Sequence, residues 1–114
     1  MSDRSDPIIL DEIIDSVGRI FEYCSGMEFK EFVEDRKTID AVARNFEIIG
    51  EASRQLSIEF RNRHSAIPWR KIIGLRNVII NEYFDIDVEN VWFIIKNELP
   101  DFHSAVIRLR DKSL

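Results

Sequence analysis

Residues 39–56 read IDAVARNFEIIGEASRQL, and this stretch decides the fold. Its apolar or small side chains recur at steps of three and four residues, at Ile39, Val42, Phe46, Ile49, Ser53 and Leu56. That spacing follows the turn of an α-helix and places these side chains along one narrow apolar seam. Such a seam suits an antiparallel helical neighbour. The stretch therefore predicts a long helix that packs inside a helical bundle.

The segment that precedes this helix predicts another long amphipathic helix. Asp6 is expected to be its N-cap, with Pro7 in the first turn, where a missing N–H has no cost. Apolar side chains then follow at helical steps until Ser25 and Gly26, which predict the end of the helix. A short helical turn is expected around Phe32, before the central helix begins.

The second half of the chain also shows helical signals. A polar, basic loop is expected over residues 61–65, and a third helix from about Trp69 to about Tyr83. Asp87 can cap a last helix, which Pro100 should kink near its middle. Sustained period-two alternation and hairpin turn signals are absent from the sequence. We therefore expect an all-α, antiparallel bundle of four to five helices, forming a single domain over residues 1–114.

Length and composition exclude several classes of protein. The 114 residues allow one hydrophobic core, and a single cysteine, Cys24, cannot form a disulfide within the chain. One cysteine cannot by itself supply a zinc or iron-sulfur site, and the glycines form no phosphate-binding loop, so neither a metal nor a cofactor is expected. No apolar run approaches the roughly 20 residues of a membrane span. The expected location is the cytoplasm.

The charge is unevenly distributed along the chain. The net charge is −5, which argues against a protein that coats nucleic acid by bulk electrostatics. Residues 35–76, however, contain nine basic and five acidic side chains, so this segment carries +4 and the rest of the chain −9. This asymmetry can mark a site for an anionic ligand within an acidic protein, although a run of charges on a helix can also be a solvated face.

The polar side chains near the end of the third predicted helix are the most informative. Arg76 and Tyr83 are seven residues apart, so on a helix they project from nearly the same face. Together with Asn77 and Asn81 they place a guanidinium, two amides and a phenol near one helix end. A guanidinium beside such donors can hold a phosphate at two points. The alternative is a capped helix end with Tyr83 packed in the core.

The sequence resembles a known family, the HEPN domains of the HepT-like ribonuclease toxins, which prokaryotes pair with MNT-type minimal nucleotidyltransferase antitoxins. The resemblance covers nearly the whole chain, and its motifs taken together are specific. They are Ser5-Asp6, Phe32 with residues 35–38 (DRKT), residues 41–52 (AVARNFEIIGEA), residues 67–69 (IPW), Arg76-Asn77, and residues 83–87 (YFDID). The resemblance implies a helical HEPN fold and a type VII-like toxin-antitoxin system.

The family's signature, Arg-x4-His-x-Tyr, matches this chain with one departure. Its arginine falls on Arg76 and its tyrosine on Tyr83, but the histidine position holds Asn81. The family implies metal-independent RNA cleavage, in which the ribose 2′-oxygen attacks the adjacent phosphate, the histidine moves protons and the arginine offsets charge in the transition state. An asparagine cannot serve as the acid or base. We therefore expect an RNA-binding site whose cleavage is strongly reduced or absent.

The resemblance also implies partners. Arg76 and position 81 lie about 140° apart around a straight helix, and family members bring the two motifs together by dimerising. We expect a homodimer whose groove is lined by both copies, with Arg44 and Arg70 flanking it and attracting RNA. Tyr83 would accept adenylyl groups from the antitoxin enzyme, which would block the groove.

Two other classes of function stay open at this point. Because Asn81 replaces the histidine, the chain could be a non-catalytic helical module that dimerises and docks a nucleotidyltransferase or an RNA. A purely structural helical bundle is the third possibility. Cleavage gained on Asn81→His would favour the ribonuclease, and loss of RNA affinity on Arg76→Ala in a folded protein would argue against the structural bundle.

Overall fold

The computed structural model describes residues 4–80 and 87–112. Within these ranges every regular element is a helix, and no strand is present. The helices are α1 (Asp6–Tyr23), α2 (Phe29–Glu34), α3 (Arg36–Gln55), α4 (Ile58–Arg63), α5 (Trp69–Ile73), α6 (Leu75–Ile80), α7 (Val88–Asn97) and α8 (Leu99–Lys112). The predicted all-α bundle is confirmed.

Helix α3 is the central element of the bundle. It packs most extensively against α1, and its other contacts are with α6, α5 and α2. The apolar seam predicted from the sequence is buried, with Val42, Phe46 and Ile49 fully inaccessible to solvent. Full burial of one such side chain stabilises the fold by about 1.5–3 kcal/mol. The seam therefore holds α3 in the middle of the molecule and leaves its opposite face available.

The remaining helices complete one continuous core. Ile13, Val17 and Ile20 on α1 are fully buried, and α1 also packs against α8, where Leu99 and Val106 are fully buried. Helix α7 packs against α8. As predicted, α1 ends just before Ser25 and Gly26, and Gly26 adopts a positive φ of 76°, a conformation that costs glycine little.

Aspartate side chains cap the beginnings of α3 and α7. The carboxylate of Asp35 accepts hydrogen bonds from the backbone N–H of Thr38 at 3.0 Å and from its hydroxyl at 2.8 Å, at the start of α3. Asp87 accepts from the backbone N–H of Asn90 at 3.1 Å, which confirms the cap predicted for the last segment. Each cap satisfies an N–H group that has no partner within its own helix.

The first helix begins one residue earlier than the predicted cap implies. Ser5 is the N-cap and Asp6 is the first helical residue. The Asp6 carboxylate instead accepts hydrogen bonds from Ser57, from its backbone N–H at 3.0 Å and from its hydroxyl at 2.9 Å. Asp6 therefore links the start of α1 to the start of α4. A side chain that was expected to cap its own helix forms a tertiary contact instead.

Part of the predicted basic loop is helical. Residues 61–63 belong to α4, which begins after Ser57, whose hydroxyl accepts from the backbone N–H of Phe60 at 3.1 Å. Phe60 is buried and anchors this short helix to the core. The loop prediction was wrong there because one capped turn with one apolar anchor is too short to show a helical period among charged residues.

The two later helices are interrupted. The helix predicted to begin at Trp69 breaks at Gly74, the poorest helix former apart from proline, so α5 and α6 are separate; its predicted end at Tyr83 lies outside the described residues. The last segment breaks at Glu98, two residues before Pro100, because proline restricts the residue before it and cannot continue the hydrogen bonds of the preceding turn. An interruption at Pro100 was predicted.

Among the helices of residues 4–80 and 87–112, none has both the length and the apolar character that crossing a membrane requires.

Candidate functional site

An open cleft lies where α6 meets the solvent-facing side of α3. Its volume is about 360 Å³, and its lining comprises Arg44, Glu47, Ile48, Glu51 and Arg54 from α3 and Arg76 from α6. The α3 residues follow one another at helical steps, so they form one face of that helix, on the side away from the buried seam. The cleft thus combines two carboxylates with three guanidinium groups, whose N–H donors suit phosphate oxygens.

The backbone of α3 and the junction between α5 and α6 approach each other very closely at Gly50. A Cβ atom at Gly50 would lie 2.9 Å from the carbonyl oxygen of Ile73, and 3.4 Å from the Cβ and backbone nitrogen of Arg76. Only glycine allows this approach without a shift of the backbone. The absence of a side chain at Gly50 therefore allows the Cβ atom of Arg76 to lie directly beside α3, close to its polar face.

Glu51 is the partner that the Arg76 guanidinium meets there. Arg76 Nη1 donates to Glu51 Oε1 at 3.2 Å. The same carboxylate accepts from Arg54, with Nε 3.3 Å from Oε1 and Nη2 2.9 Å from Oε2. One carboxylate thus joins two guanidinium groups, and the third arginine of the cleft, Arg44, lies 3.7 Å from the carboxylate of Glu47.

The Glu51 carboxyl group is held in its ionised form. The hydrogen bonds from Arg54 lower the pKa of Glu51 most strongly, and the positive charges of Arg54 and Arg76 lower it further, while partial desolvation acts in the opposite direction. The carboxylate therefore keeps its charge, and its hold on both arginines, throughout the physiological pH range.

The ion pairs of the cleft are solvated rather than buried. The side chain of Arg76 is 52% exposed and that of Glu51 is 37% exposed. Exposed ion pairs contribute little to the free energy of folding and exchange readily. A guanidinium carries five N–H donors, and within the described ranges Glu51 is the only polar partner of Arg76. Arg76 can therefore bind an anion without losing Glu51.

The structure brings together some of the predicted site residues. Arg44 and Arg76, both of which were predicted to bind RNA, line the same cleft. Arg70 on α5 and Asn77 on α6 are exposed but lie outside the described lining of the cleft. The backbone N–H of Asn77 donates to the carbonyl of Gly74 at 2.9 Å, which starts the α6 turn.

Two predicted site residues cannot be placed. Asn81, at the position of the motif histidine, and Tyr83, the predicted modification site, lie outside the described residues. Their roles remain predictions from the sequence.

The sequence did not identify four of the cleft residues as site residues, namely Glu47, Ile48, Glu51 and Arg54. All four lie on α3 within the basic segment, and Arg44, Glu47, Glu51 and Arg54 recur at three- and four-residue steps opposite the apolar seam. This second periodicity was a usable signal that one face of α3 carries paired charges. The sequence could not show that Arg76 would meet that face.

The two histidines and the cysteine of the described region pack against other side chains or are buried. His64 packs against the ring of Phe60 with centroids 4.6 Å apart, and His103 packs edge-on against Phe21 with centroids 5.3 Å apart. Cys24 is buried, and burial raises the pKa of its thiol. In residues 4–80 and 87–112, no three side chains of the His, Cys, Asp and Glu types are grouped so that they could hold a metal ion.

A helical bundle with an arginine-lined cleft on its central helix defines a candidate nucleic-acid-binding protein. Comparison with known proteins makes this more specific. The family described as Ribonuclease HepT-like matches residues 13–109. The chain therefore belongs to the HepT-like ribonuclease family, as its resemblance to HepT-like HEPN domains predicted.

Individual relatives agree with this assignment. The chain is 36% identical over 107 residues to the "Probable ribonuclease HepT" of Thermococcus cleftensis, covering 94% of this chain and 97% of that protein. It is also 36% identical over 106 residues to the "Putative RNase MJ1380" of Methanocaldococcus jannaschii, covering 93% of this chain and 97% of that protein. No solved structure matches the chain.

Proposed function

We propose that this chain is the RNA-binding HEPN toxin of a type VII-like toxin-antitoxin system, acting in the cytoplasm. The observation that carries the proposal is the position of Arg76. It matches the motif arginine of the family, and its guanidinium lies in an open cleft with Arg44 and Arg54. Three arginines can neutralise successive phosphates of an RNA strand even though the protein is acidic overall.

The chemistry proposed for this cleft is transesterification within RNA. The 2′-oxygen of a ribose attacks the adjacent phosphorus, its proton passes to a base, and the P–O5′ bond breaks as the 5′-oxygen gains a proton. The products carry a 2′,3′-cyclic phosphate and a 5′-hydroxyl. Arg76 would offset the negative charge that gathers on the phosphoryl oxygens in the transition state.

Asn81 limits this reaction in the chain as it stands. Its amide can donate to a phosphate or a 2′-hydroxyl, but it cannot take up or release a proton near neutral pH. A positioned acid or base is typically worth about 10² to 10⁴ in rate. We therefore expect RNA binding with cleavage reduced by a factor in that range, and restored by Asn81→His.

The functional unit proposed is a homodimer. Arg76 and position 81 are five residues apart, and on a straight helix side chains at that spacing would lie about 140° apart and would not share one face. A two-fold dimer would supply Arg76 and Asn81 from both copies to one groove. Exposed Arg70 and Asn77, outside the cleft lining, would contact RNA that extends beyond it.

Tyr83 is proposed as the site of control by an MNT-type nucleotidyltransferase antitoxin. The tyrosine oxygen would attack the α-phosphorus of ATP, forming a phosphodiester to AMP and releasing pyrophosphate. The added phosphate would bring bulk and negative charge, which repel RNA. Asn81 does not remove this acceptor, so the antitoxin could still recognise the chain.

RNA binding is the direct test. Binding of a short, fluorescein-labelled single-stranded RNA is measured by anisotropy over a salt series for the unaltered chain, Arg76→Ala and Arg108→Ala. Arg108 is an exposed arginine on α8, which packs against α1 and α7, so it controls for the loss of one charge. Arg76→Ala should weaken binding about tenfold and reduce the salt slope by about 0.7. Equal effects of the two substitutions would contradict the proposal.

A second candidate function follows from Asn81. A dimeric, non-catalytic module that docks a nucleotidyltransferase or RNA needs no acid-base group, and the motif histidine is replaced in this chain. If Asn81→His binds RNA but cuts none, this function is the better account.

A further inference from the structure

Glu51 has an unusual place in the cleft, because it is an acidic residue at the centre of a basic site. Its Oε1 accepts from Arg76 Nη1 at 3.2 Å and from Arg54 Nε at 3.3 Å, and its Oε2 accepts from Arg54 Nη2 at 2.9 Å. Considered only as a charge, Glu51 repels phosphate and should weaken RNA binding. Considered as a hydrogen-bond acceptor, it fixes the direction of two guanidinium groups.

The backbone around Glu51 is arranged so that its position determines that of Arg76. Gly50 precedes it, and a Cβ atom added at Gly50 would lie 2.9 Å from the carbonyl oxygen of Ile73 and 3.4 Å from the backbone nitrogen of Arg76, so the two backbones pass very close to each other. The Cα atoms at the bases of the Glu51 and Arg76 side chains are therefore set by packing. The long arginine side chain then reaches the Glu51 carboxylate, which accepts from Nη1 at 3.2 Å.

We infer that Glu51 is a positioning residue for RNA binding, which holds Arg76 and Arg54 side by side so that both guanidinium groups present their remaining donors to one phosphate-bearing strand. This inference rests on the proposed RNA-binding function of the cleft. It goes beyond that function by assigning the acidic side chain a part in RNA binding. Pre-ordering two long side chains removes an entropy cost that RNA binding would otherwise carry.

Glu47 provides a matched control within the same cleft. It lies one turn earlier on α3, and among residues 4–80 and 87–112 its carboxylate forms an ion pair only with Arg44, at 3.7 Å, which is longer than a hydrogen bond. Glu47→Gln and Glu51→Gln each remove one negative charge from the cleft while keeping the side-chain size. A purely electrostatic account predicts that both tighten RNA binding.

The test is the sign of the change in RNA affinity, measured by anisotropy with a short fluorescein-labelled single-stranded RNA. We expect Glu47→Gln to tighten binding up to about threefold, and Glu51→Gln to weaken it about threefold or more, since an exposed pair is typically worth a few-fold. Glu51→Asp, which keeps the charge but shortens the side chain, should also weaken binding. In an Arg76→Ala, Arg54→Ala background, Glu51→Gln should no longer weaken binding.

The outcomes separate this inference from the proposed function. If Arg76→Ala leaves RNA binding unchanged, the proposed function fails and the inference fails with it. If Arg76→Ala weakens binding but Glu51→Gln tightens it as Glu47→Gln does, Glu51 acts only as a charge and the inference alone is overturned. If Glu51→Gln weakens binding equally in the background without both arginines, its role is structural, which also overturns the inference.

Discussion

Replacing Gly50 by alanine tests how tightly the candidate site is built into the fold. The added methyl carbon would lie 2.9 Å from the carbonyl oxygen of Ile73, and 3.4 Å from two atoms of Arg76. A carbonyl oxygen in a packed backbone cannot rotate away as a flexible side chain can, so α3 and the α5–α6 junction must separate by several tenths of an ångström.

Two opposing effects set the magnitude. Overpacking of this kind typically costs about 1–3 kcal/mol, whereas alanine is favoured over glycine inside a helix by about 1 kcal/mol. Gly50→Ala should therefore lower the free energy of unfolding by about 0–2 kcal/mol. Gly18 is the matched control, because it lies within α1 and an added Cβ there meets nothing within 4 Å. Gly18→Ala should raise the free energy of unfolding by about 0.5–1 kcal/mol.

Urea denaturation of the two variants and the unaltered chain provides the measurement. The two alanine variants should differ by about 1–3 kcal/mol, with Gly50→Ala the less stable. Gly50→Ala should also weaken RNA binding, since the displaced backbone carries Arg76, whereas Gly18→Ala should not. If the two variants are equally stable, the close approach at Gly50 does not exist and the placement of Arg76 beside α3 is refuted.

Three further predictions concern the fold. Phe46→Ala should lower the free energy of unfolding by about 3–5 kcal/mol in urea melts, because Phe46 is fully buried in the central seam; a loss below about 1 kcal/mol would contradict that burial. Ser53→Ala should leave stability unchanged or raise it by up to about 1 kcal/mol, because within the described region the buried Ser53 hydroxyl has no hydrogen-bond partner; a clear loss would reveal one. Hydrogen bonds from the Thr38 backbone N–H and hydroxyl lower the pKa of Asp35, so its stabilisation is fully present above the unfolded pKa of about 4 and is lost as the pH falls through the lower folded pKa. The stability difference between the unaltered chain and Asp35→Asn should therefore shrink as thermal melts are taken from about pH 6 to pH 2, and a constant difference would contradict the cap.

Much of the fold was predictable because local signals and tertiary packing agree. The seam from Ile39 to Leu56 repeats at the helical period over about five turns, and burial against α1 reinforces the same pattern. The cap at Asp87 was predictable for the same reason, since an aspartate before an apolar periodic run satisfies the first N–H groups of a helix.

The errors arose where a long-range contact overrides a local preference, or where the local signal is too short to show a period. Asp6 has the character of an N-cap, but its carboxylate accepts instead from Ser57, which is 51 residues away in the sequence. Helix α4 depends on a single buried side chain, Phe60, and one such anchor shows no period. The break at Gly74 was visible only as a glycine within an otherwise helical pattern.

The candidate site was predictable only in part. The family signature identified Arg76, and the charge balance indicated that residues 35–76 could hold an anionic ligand. Neither showed that Arg76 meets α3 at Glu51, because that contact depends on the packing of Gly50 against Ile73. Arg76 and Glu51 are 25 residues apart on different helices, and a contact of that kind produces no periodic pattern in a single sequence.

The central claim, that Arg76 and position 81 belong to a ribonuclease site, is tested most directly by an RNA cleavage assay with EDTA present throughout. The unaltered chain, Asn81→His, and Asn81→His combined with Arg76→Ala are compared, and the product ends are scored for 2′,3′-cyclic phosphate. We predict cleavage by Asn81→His at about 10² to 10⁴ times the rate of the unaltered chain, and loss of that gain when Arg76 is also replaced. No cleavage by a folded Asn81→His protein, or cleavage that persists without Arg76, would contradict the account.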